Sequence, residues 1–320
     1  MGGPTDAGSG TLGFWETYFL DIKTPDIWAT NTPSADPGKW KRSVIAILQS
    51  FLQTGSGSAL LGSLKRMSQW IDIYPLNKVE CNAHGGFPGT RIINGRWYEG
   101  QLQFNPDVYM SGSACYRRKH RSFGKEPDQV MFHELIHAHR AASWLLPEHE
   151  RLIAGLSGYQ DEEEFLAVVL TNVYISETKG RGLRADYYSY DELNGPLSTS
   201  IGFFQSSPQV LRILKQFAKD QNFLFEELAK VKARFNPLAA MKGRPDEVEK
   251  ISYSKEAMER ERTAPKQATA QLERVRKDAH HDKEQDAKEL QKKLAGLAKR
   301  NLQKELAGML AEAALQFLPK

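Results

Sequence analysis

Two histidines separated by three residues form the pattern with the most specific chemistry in the sequence. The run reads Val130-Met-Phe-His133-Glu134-Leu-Ile-His137. On a helix, side chains four residues apart lie on one face, about 5–6 Å apart at Cβ, so both imidazoles can bind one zinc ion. Glu134 lies one position round the helix, where it can reach a zinc-bound water without binding the metal. Zinc lowers the pKa of that water to about 7, and Glu134 is predicted to take its proton as the water attacks a carbonyl.

A catalytic zinc site needs a third protein ligand and leaves the fourth position to water. One common continuation of the motif has a glycine three residues beyond the second histidine and a third histidine three further on. It is excluded here because Arg140 and Ser143 occupy those positions. We therefore expect a glutamate from a following helix, and the acidic run at residues 161–164, Asp-Glu-Glu-Glu, begins one.

This acidic helix offers more than one ligand. Glu164 is the first candidate, Glu163 is the second, and Glu177 near the end of the same helix is a further one. Glu162 is interpreted as a carboxylate that stabilises the helix N-terminus through the helix dipole, and the same explanation can account for all three glutamates of the run. Asn172 is predicted either to orient a metal ligand or to be a plain amide on the helix surface.

An arginine and a tyrosine three residues apart follow a glycine-rich break. The tetrahedral intermediate of peptide hydrolysis carries an oxyanion, which a positioned Arg or Tyr can stabilise. Arg184 and Tyr187 are predicted to be this donor pair, and the alternative is a salt bridge beside a packed tyrosine. His139 is expected to point away from the metal. The histidines that lack ligand spacing are His84, His120, His149, His280 and His281.

The segments around the motif predict a domain of helices and a few strands. Apolar residues at helical spacing predict helices over 39–53, 55–67, 128–145 and 161–177, and further helix within 207–235. Strands are expected over 70–75, 90–93 and 97–104, and Asn94-Gly95 between the last two predicts a hairpin. This order indicates an α+β domain with a small antiparallel sheet before the active-site helix.

Composition divides the chain into three parts. Residues 1–36 are rich in Gly, Pro, Thr and Asp and are predicted to be a flexible arm that docks through scattered aromatic residues. Residues 37–242 hold the predicted catalytic domain. Residues 243–320 are rich in Lys, Glu, Ala, Gln and Arg, which is typical of a long charged helix or coiled coil. Its leucine stripe predicts a helix that folds back or pairs with a copy of itself, and the alternatives are a docking tail for a secretion partner and a membrane-surface helix.

Charge and hydropathy narrow the expected partners. The 320-residue chain has a net charge of +4 and no arginine-rich stripe interleaved with aromatic residues, so no nucleic acid is expected as a partner. The absence of a classical signal peptide and of an apolar run of transmembrane length predicts a protein made in soluble form in the cytoplasm.

Cys81 and Cys115 are expected to be reduced thiols, or a single bridge in an oxidising compartment.

Several short stretches resemble bacterial effector metallopeptidases of the zincin class. They are Gly57-Ser-Ala-Leu-Leu-Gly62, the His-Glu-Leu-Ile-His-Ala run from His133, Glu164-Phe-Leu-Ala, Asn172-Val-Tyr and Leu183-Arg184. This class includes injected proteases that cut host signalling kinases. It also includes metallopeptidase toxin domains attached to secretion-system spikes or to polymorphic toxins. The resemblance covers the chain from about residue 55 to about residue 190.

The resemblance implies a zincin-like fold, with the two histidines of the motif as Zn²⁺ ligands, Glu134 as the catalytic base and Glu164 as the third ligand. It also implies a protein substrate, delivery into a target cell, and partners such as a secretion-system carrier, a chaperone or an immunity protein. Arg184 and Tyr187 are similar to the Arg-x-x-Tyr pair of clostridial neurotoxin light chains, which assists the transition state.

The sequence therefore predicts a zinc-dependent endopeptidase. The alternative is a non-catalytic zinc-binding protein that acts through its C-terminal extension. The intact Glu134 disfavours this alternative, because a site without turnover has no need of a base.

Overall fold

The computed structural model describes residues 9–23, 37–67, 69–76, 83–86, 91–93, 96–110, 126–143, 145, 158–159, 161–180, 182–187 and 191–264. The chain divides into two units, residues 1–268 and residues 269–320, and the second unit lies outside the described residues. Also outside them lie Cys81, Cys115, the turn Asn94-Gly95 and the leucine stripe predicted near the C-terminus.

Helices hold most of the described residues, and short strands form one sheet. The helices are α1 (Ser9–Glu16), α2 (Pro37–Phe51), α3 (Gly55–Lys65), α4 (Pro127–Ala142), α5 (Glu162–Thr178), α6 (Pro208–Asp220), α7 (Asn222–Ala229), α8 (Pro237–Gly243) and α9 (Pro245–Ser252). The strands are β1 (Leu20–Ile22), β2 (Trp70–Tyr74), β3 (His84–Gly86), β4 (Arg91–Ile93) and β5 (Arg96–Gln103). The fold class is α+β, as predicted.

The sheet is mixed, which corrects the prediction of an antiparallel sheet. Its strand order is β1-β2-β5-β3, and β4 also pairs with β5. The pairs β1–β2 and β2–β5 are parallel, whereas β5 is antiparallel to β3 and β4. The strands β4 and β5 form the predicted hairpin, with Ile93 opposite Arg96. The parallel pair β1–β2 forms because α2 and α3 lie between its strands and carry the chain back to the same end of the sheet.

The N-terminal segment joins the domain through aromatic side chains and one strand. Trp15 on α1 is 1% exposed, whereas its neighbour Phe14 is 44% exposed. Strand β1 pairs with β2 and places the buried Leu20 opposite the buried Ile71. Trp15 and β1 thus attach residues 9–23 to the core, and the rest of residues 1–36 lies outside the described residues. The strand is not predicted, because three residues are too few to show an alternating pattern.

Helix α4 is buried against β3, β5 and α5. The bounds predicted for α4 and α5 agree with the structure to within three residues. Pro127 begins α4, where its missing N–H costs no hydrogen bond. Phe132 of α4 stacks on Tyr174 of α5 with ring centroids 4.7 Å apart, and Phe51 of α2 meets both rings edge-on. This aromatic cluster fixes the three helices relative to one another.

Two glycines allow the sheet to approach the backbone of α4. A Cβ on Gly85 of β3 would lie 2.0 Å from the carbonyl oxygen of Glu134, and one on Gly100 of β5 would lie 2.6 Å from that of Ala138. A carbon and an oxygen cannot approach so closely, so a larger residue at either position would push its strand away from the helix. Because Glu134 and Ala138 are one turn apart, the two strands contact successive turns of α4.

The segment predicted as helix within 207–235 contains two helices. Helix α6 ends at Asp220 and α7 begins at Asn222, with Gln221 between them. The backbone of Gln221, at φ −129° and ψ 51°, leaves the helical region, and its side chain is buried. Helix α7 packs against α3. The break therefore carries a polar side chain into the interior.

Residues beyond 243 contribute to the described core. Val248 of α9 is fully buried, and α9 packs against α6 and α8. Ala257, in a helical segment over 255–264, is also buried. The change in composition at Gly243 therefore does not coincide with the boundary between the two units, which falls after residue 268.

None of the described helices is by itself long and apolar enough to cross a membrane. The neighbouring helices Gly38–Phe51 and Gly55–Lys65 reach the required length and composition only when taken together, and the chain bends by 106° at the break between them.

Gly85→Ala and Gly100→Ala are each expected to lower the free energy of unfolding by about 1–3 kcal/mol, because the added methyl group overlaps a carbonyl oxygen of α4. Gly86→Ala is the matched control, since a Cβ there meets no described atom within 4 Å. Urea unfolding of the three variants and the wild type measures the effect. Equal losses at Gly85 and Gly86 would contradict the close approach of β3 to the helix.

Candidate metal centre

Three side-chain atoms from two helices form a triangle in the interior. Nε2 of His133 lies 3.2 Å from Nε2 of His137 and 3.2 Å from Oε2 of Glu164. The third side, from His137 Nε2 to Glu164 Oε2, measures 3.4 Å. Both histidines are on α4 and the glutamate is on α5. Within the described part of the chain, this is the one group of three His, Cys, Asp or Glu side chains that could hold a metal ion.

The triangle has the dimensions of one face of a zinc tetrahedron. Zinc binds imidazole nitrogen and carboxylate oxygen at about 2.0–2.2 Å, so two ligands of a tetrahedral site are separated by roughly 3.3–3.6 Å. The measured sides, 3.2, 3.2 and 3.4 Å, are close to that separation. Two imidazoles and one carboxylate are also a common donor set of catalytic zinc sites. The residues present therefore fit a zinc ion.

Glu164 is positioned by the first turn of α5. The side chain of Asp161 caps this helix and accepts a hydrogen bond from the N–H of Glu164 at 2.8 Å. The Glu164 side chain is 17% exposed, against 7% for His133 and 8% for His137. Among the three ligands, Glu164 is therefore the one most open to solvent.

The two neighbouring glutamates have different partners. Successive helical residues point about 100° apart, and Glu163 accepts a hydrogen bond from Nδ1 of His137 at 3.1 Å instead of joining the triangle. In the neutral form of His137 that can bind a metal, Nδ1 therefore carries the proton, and the lone pair of Nε2 faces His133 and Glu164. The structure thus groups Glu164 with the two histidines and places Glu163, the second candidate ligand, behind His137.

Arg140 completes the contacts of Glu163. Its Nε donates a hydrogen bond to Oε2 of Glu163, and its side chain is fully buried. The sequence patterns do not single out Arg140 as a functional residue, although two signals were present. It follows His137 by three residues, which places both on one side of α4, and a charge within an apolar helix needs a partner.

Glu134 lies outside the triangle and faces the sheet. Its Oε2 accepts a hydrogen bond of 2.6 Å from the backbone N–H of Gly85, and its side chain is half-buried. Since this N–H is used by Glu134, it points away from the neighbouring strand β5. Gly85 is a second functional residue that sequence reasoning missed, and the available signal was a glycine within a strand, which often marks a close backbone approach.

Burial and charge act in opposite directions on the ionisable groups of the centre. Burial disfavours protonated His137, but the hydrogen bonds and charges of Glu163 and Glu164 outweigh it and raise the pKa of His137 well above its ordinary value. Burial also opposes ionisation of Glu164, yet the two histidines hold its pKa well below the usual range. The pKa of Glu163 is lowered against burial by Arg140 and His137. Both carboxylates are therefore ionised at neutral pH, and Glu164, which faces the two histidines, can bind a cation.

His139 has partners of its own and does not face the triangle, as predicted. Its Nε2 lies 2.8 Å from Oγ of Ser63 on α3, and its Nδ1 lies 3.0 Å from Nε2 of Gln221. Oε1 of Gln221 accepts a hydrogen bond from Nη1 of Arg140, so the amide nitrogen donates to Nδ1, and Nε2 of His139 donates to Ser63. Burial, with a smaller contribution from the charge of Arg140, lowers the pKa of His139 to about 3.

Arg184 and Tyr187 lie in a loop that is tied to the middle of α5. Arg184 is 5% exposed, and its guanidinium donates to the carbonyl groups of Asp186 and Tyr187. Asn172 holds the same loop through two hydrogen bonds of 2.8 Å with the backbone of Arg184. Asn172 thus fixes the backbone of this loop, and it neither contacts a candidate metal ligand nor lies on the helix surface, as the two alternatives predicted. The described guanidinium contacts support the loop, and the oxyanion role of Arg184 and Tyr187 stays a prediction.

The two remaining glutamates of α5 contact other helices. Glu177 accepts hydrogen bonds from the N–H groups of Gly55 and Ser56 at 2.6 and 2.9 Å and so caps α3. It lies about 20 Å along the helix from Glu164, which corrects its prediction as a candidate ligand. Glu162 is buried and pairs with Arg212 of α6, a specific contact in addition to the predicted effect on the helix dipole.

Comparison of the chain with protein-family models, with curated proteins and with solved structures gives no match.

Wild-type protein is expected to bind about one zinc ion per chain and Glu164→Ala to lose most of it, because the variant keeps only two of the three ligands. Glu177→Ala is the matched control on the same helix. It should retain zinc but lose about 1–2 kcal/mol of unfolding free energy, since the first two N–H groups of α3 lose their acceptor. Metal analysis after dialysis and urea unfolding provide the two measurements. Stoichiometric zinc in Glu164→Ala would move the third ligand elsewhere.

The contribution of His139 to stability is expected to fall with acidification between pH 6.5 and about pH 3, by up to about 1.4 kcal/mol per pH unit. The unfolded chain takes up a proton on His139 near pH 6.5, whereas the buried imidazole does so only near pH 3, so acid favours the unfolded state. The comparison of wild type with His139→Gln, by urea unfolding in EDTA across this range, isolates the effect. A difference in unfolding free energy that does not vary with pH would refute it.

Proposed function

We propose that this protein is a zinc-dependent endopeptidase in which His133, His137 and Glu164 bind zinc and Glu134 is the general base. The observation that carries this proposal is the triangle of donor atoms from His133, His137 and Glu164, with sides of 3.2, 3.2 and 3.4 Å. Structural zinc sites usually have four protein ligands, whereas catalytic sites have three and keep a position for water. Three candidate ligands, two of them on a helix that also carries a carboxylate outside the ligand set, favour hydrolysis over a structural role.

The side chains around the triangle have separate tasks in the proposed reaction. Zinc, when bound, supplies a Lewis acid that acidifies water and polarises the substrate carbonyl. Glu134 takes the proton of the attacking water and transfers it to the leaving amine. The N–H of Gly85 holds Oε2 of Glu134, which leaves Oε1 as the atom that receives the proton. Glu163 keeps Nδ1 of His137 protonated and its Nε2 free to bind.

The position of β3 favours an extended peptide as the substrate. Among the described strands, β3 lies at the end of the sheet, and its Gly85 N–H points outward to Glu134. Because the Gly85 N–H is already bonded to Glu134, an extended peptide would lie along this edge without a hydrogen bond from Gly85, with its carbonyl groups near the general base. Binding in an extended form depends on the backbone rather than on a particular side chain. This agrees with an endopeptidase that acts on a protein substrate.

The biological setting of the proposal rests on the sequence resemblance to bacterial effector metallopeptidases. In that setting the protein is made in the bacterial cytoplasm, is delivered into a target cell and cuts a protein there. A secretion-system carrier, a chaperone or an immunity protein would be its partners. Assistance to the transition state by Arg184 and Tyr187 is proposed on the same ground.

Glu134→Gln is expected to reduce proteolysis by a factor of about 10²–10⁴, because glutamine still accepts the hydrogen bond from Gly85 but cannot take a proton. Zinc content and unfolding free energy should stay at the wild-type level. The measurement is mass-spectrometric mapping of new protein termini in bacterial and eukaryotic cell extracts that have been incubated with each protein. Glu249→Gln, at an exposed glutamate of α9, is the matched control and should cleave like the wild type.

Removal of zinc with a chelator should stop cleavage by the wild type, and added zinc should restore it. If the wild type produces no new termini beyond those found with folded, zinc-loaded Glu134→Gln, hydrolysis that depends on Glu134 is contradicted. That outcome would favour the non-catalytic zinc-binding protein as the function.

A further inference from the structure

We propose that Arg140 is a positioning residue that sets the zinc affinity of the centre by holding Glu163 against His137. Its Nε donates to Oε2 of Glu163, while Oε1 of the same carboxylate accepts the hydrogen bond from Nδ1 of His137 at 3.1 Å. One carboxylate thus joins a buried arginine to a candidate metal ligand. The inference rests on the proposed zinc site and extends it to a residue outside the ligand set.

Arg140 is fixed on the side away from the metal as well. Its side chain is fully buried, and Nη1 donates to Oε1 of Gln221 at 3.3 Å. The amide of Gln221 donates in turn to His139, which donates to Ser63. A chain of hydrogen bonds therefore runs from Ser63 on α3, across α4, to Glu163 on α5. The guanidinium has little freedom to move within it.

Stability alone does not account for a charge at this position. The desolvation of a buried ion pair offsets most of its attraction, and apolar residues of similar volume often stabilise a protein equally well. Nη2 of Arg140 also has no hydrogen-bond partner among the described residues, which adds a further cost. An apolar residue could not orient Glu163, whereas the planar guanidinium fixes both the position and the plane of a carboxylate.

The orientation of Glu163 matters because it acts on His137. A carboxylate on Nδ1 selects the tautomer whose lone pair is on Nε2, and it holds the ring in the direction of the metal. Loss of such a partner typically weakens metal binding by about 10–100-fold. Since Arg140 acts through Glu163, its loss should have an effect of the same size and no effect once Glu163 is absent.

This coupling is tested by measuring the zinc affinity of four proteins in competition with a chromophoric zinc chelator. They are the wild type, Arg140→Met, Glu163→Met and the double variant. Each single substitution is expected to weaken binding by about 10–100-fold, and the double variant should bind zinc no more weakly than Glu163→Met. A wild-type affinity in Arg140→Met would overturn the inference. So would losses that add in the double variant, because Arg140 would then act independently of Glu163.

The matched control is Arg212→Met. Arg212 pairs with Glu162, the neighbour of Glu163 on α5, and its loss should leave the zinc affinity unchanged. Circular dichroism and urea unfolding establish that each variant is folded. If Arg140→Met does not fold, Arg140→Lys replaces it, because lysine keeps the charge but loses the two directed hydrogen bonds. A wild-type zinc affinity in Arg140→Lys would then overturn the inference.

The affinity of the wild type itself separates the two proposals. Failure of the wild type to bind zinc stoichiometrically would contradict the proposed zinc site. Tight binding by the wild type together with an unchanged affinity in the Arg140 variants would contradict only the positioning role.

Discussion

The burial of α4 is the constraint on which the rest of this structure depends. The helix carries three histidines and an arginine into the interior, where a polar side chain without a partner is costly. The partners come from three neighbouring parts of the chain: Glu163 and Glu164 on α5, Ser63 on α3, and Gln221 between α6 and α7. Each of these elements is therefore held against α4 by specific hydrogen bonds in addition to apolar contacts. The candidate metal centre includes the carboxylate of Glu164, which is more exposed than the two histidines.

Another side of α4 meets the sheet. The candidate metal ligands contact α5, whereas the proposed base contacts the sheet. On the side of α5, carboxylates surround the imidazoles, and the mutual attraction keeps Glu163 and Glu164 ionised despite their burial. On the side of the sheet, Gly85 lets β3 come close enough for its N–H to hold Glu134. The two candidate histidine ligands and the proposed base share α4, but their partners come from different elements. This separation is what the proposed hydrolysis requires, since the base must reach water without binding the metal.

The local part of this arrangement could be predicted from the sequence. Helical spacing places His133 and His137 on one face and Glu134 beside them, because the repeat of 3.6 residues is a property of the backbone alone. The bounds of α4 and α5 follow from the same periodicity, and the hairpin β4–β5 follows from the Asn-Gly turn between two short strands. Each of these features depends on residues within about one helix or hairpin of one another. The alternatives for the third ligand were limited to one helix for the same reason.

Only the tertiary structure shows which of these glutamates lies with both histidines. Whether this is Glu163 or Glu164 depends on the rotation of α5 about its own axis relative to α4, and the stacking of Phe132 on Tyr174 connects the two helices in the observed rotation. The parallel pairing of β1 with β2 likewise depends on a long connection through two helices, so the strands themselves contain no sign of it. By itself the sequence determined what each helix presents on each face. Which faces meet was decided by the packing of segments far apart in the chain, because no local pattern encodes the free energy of contacts between them.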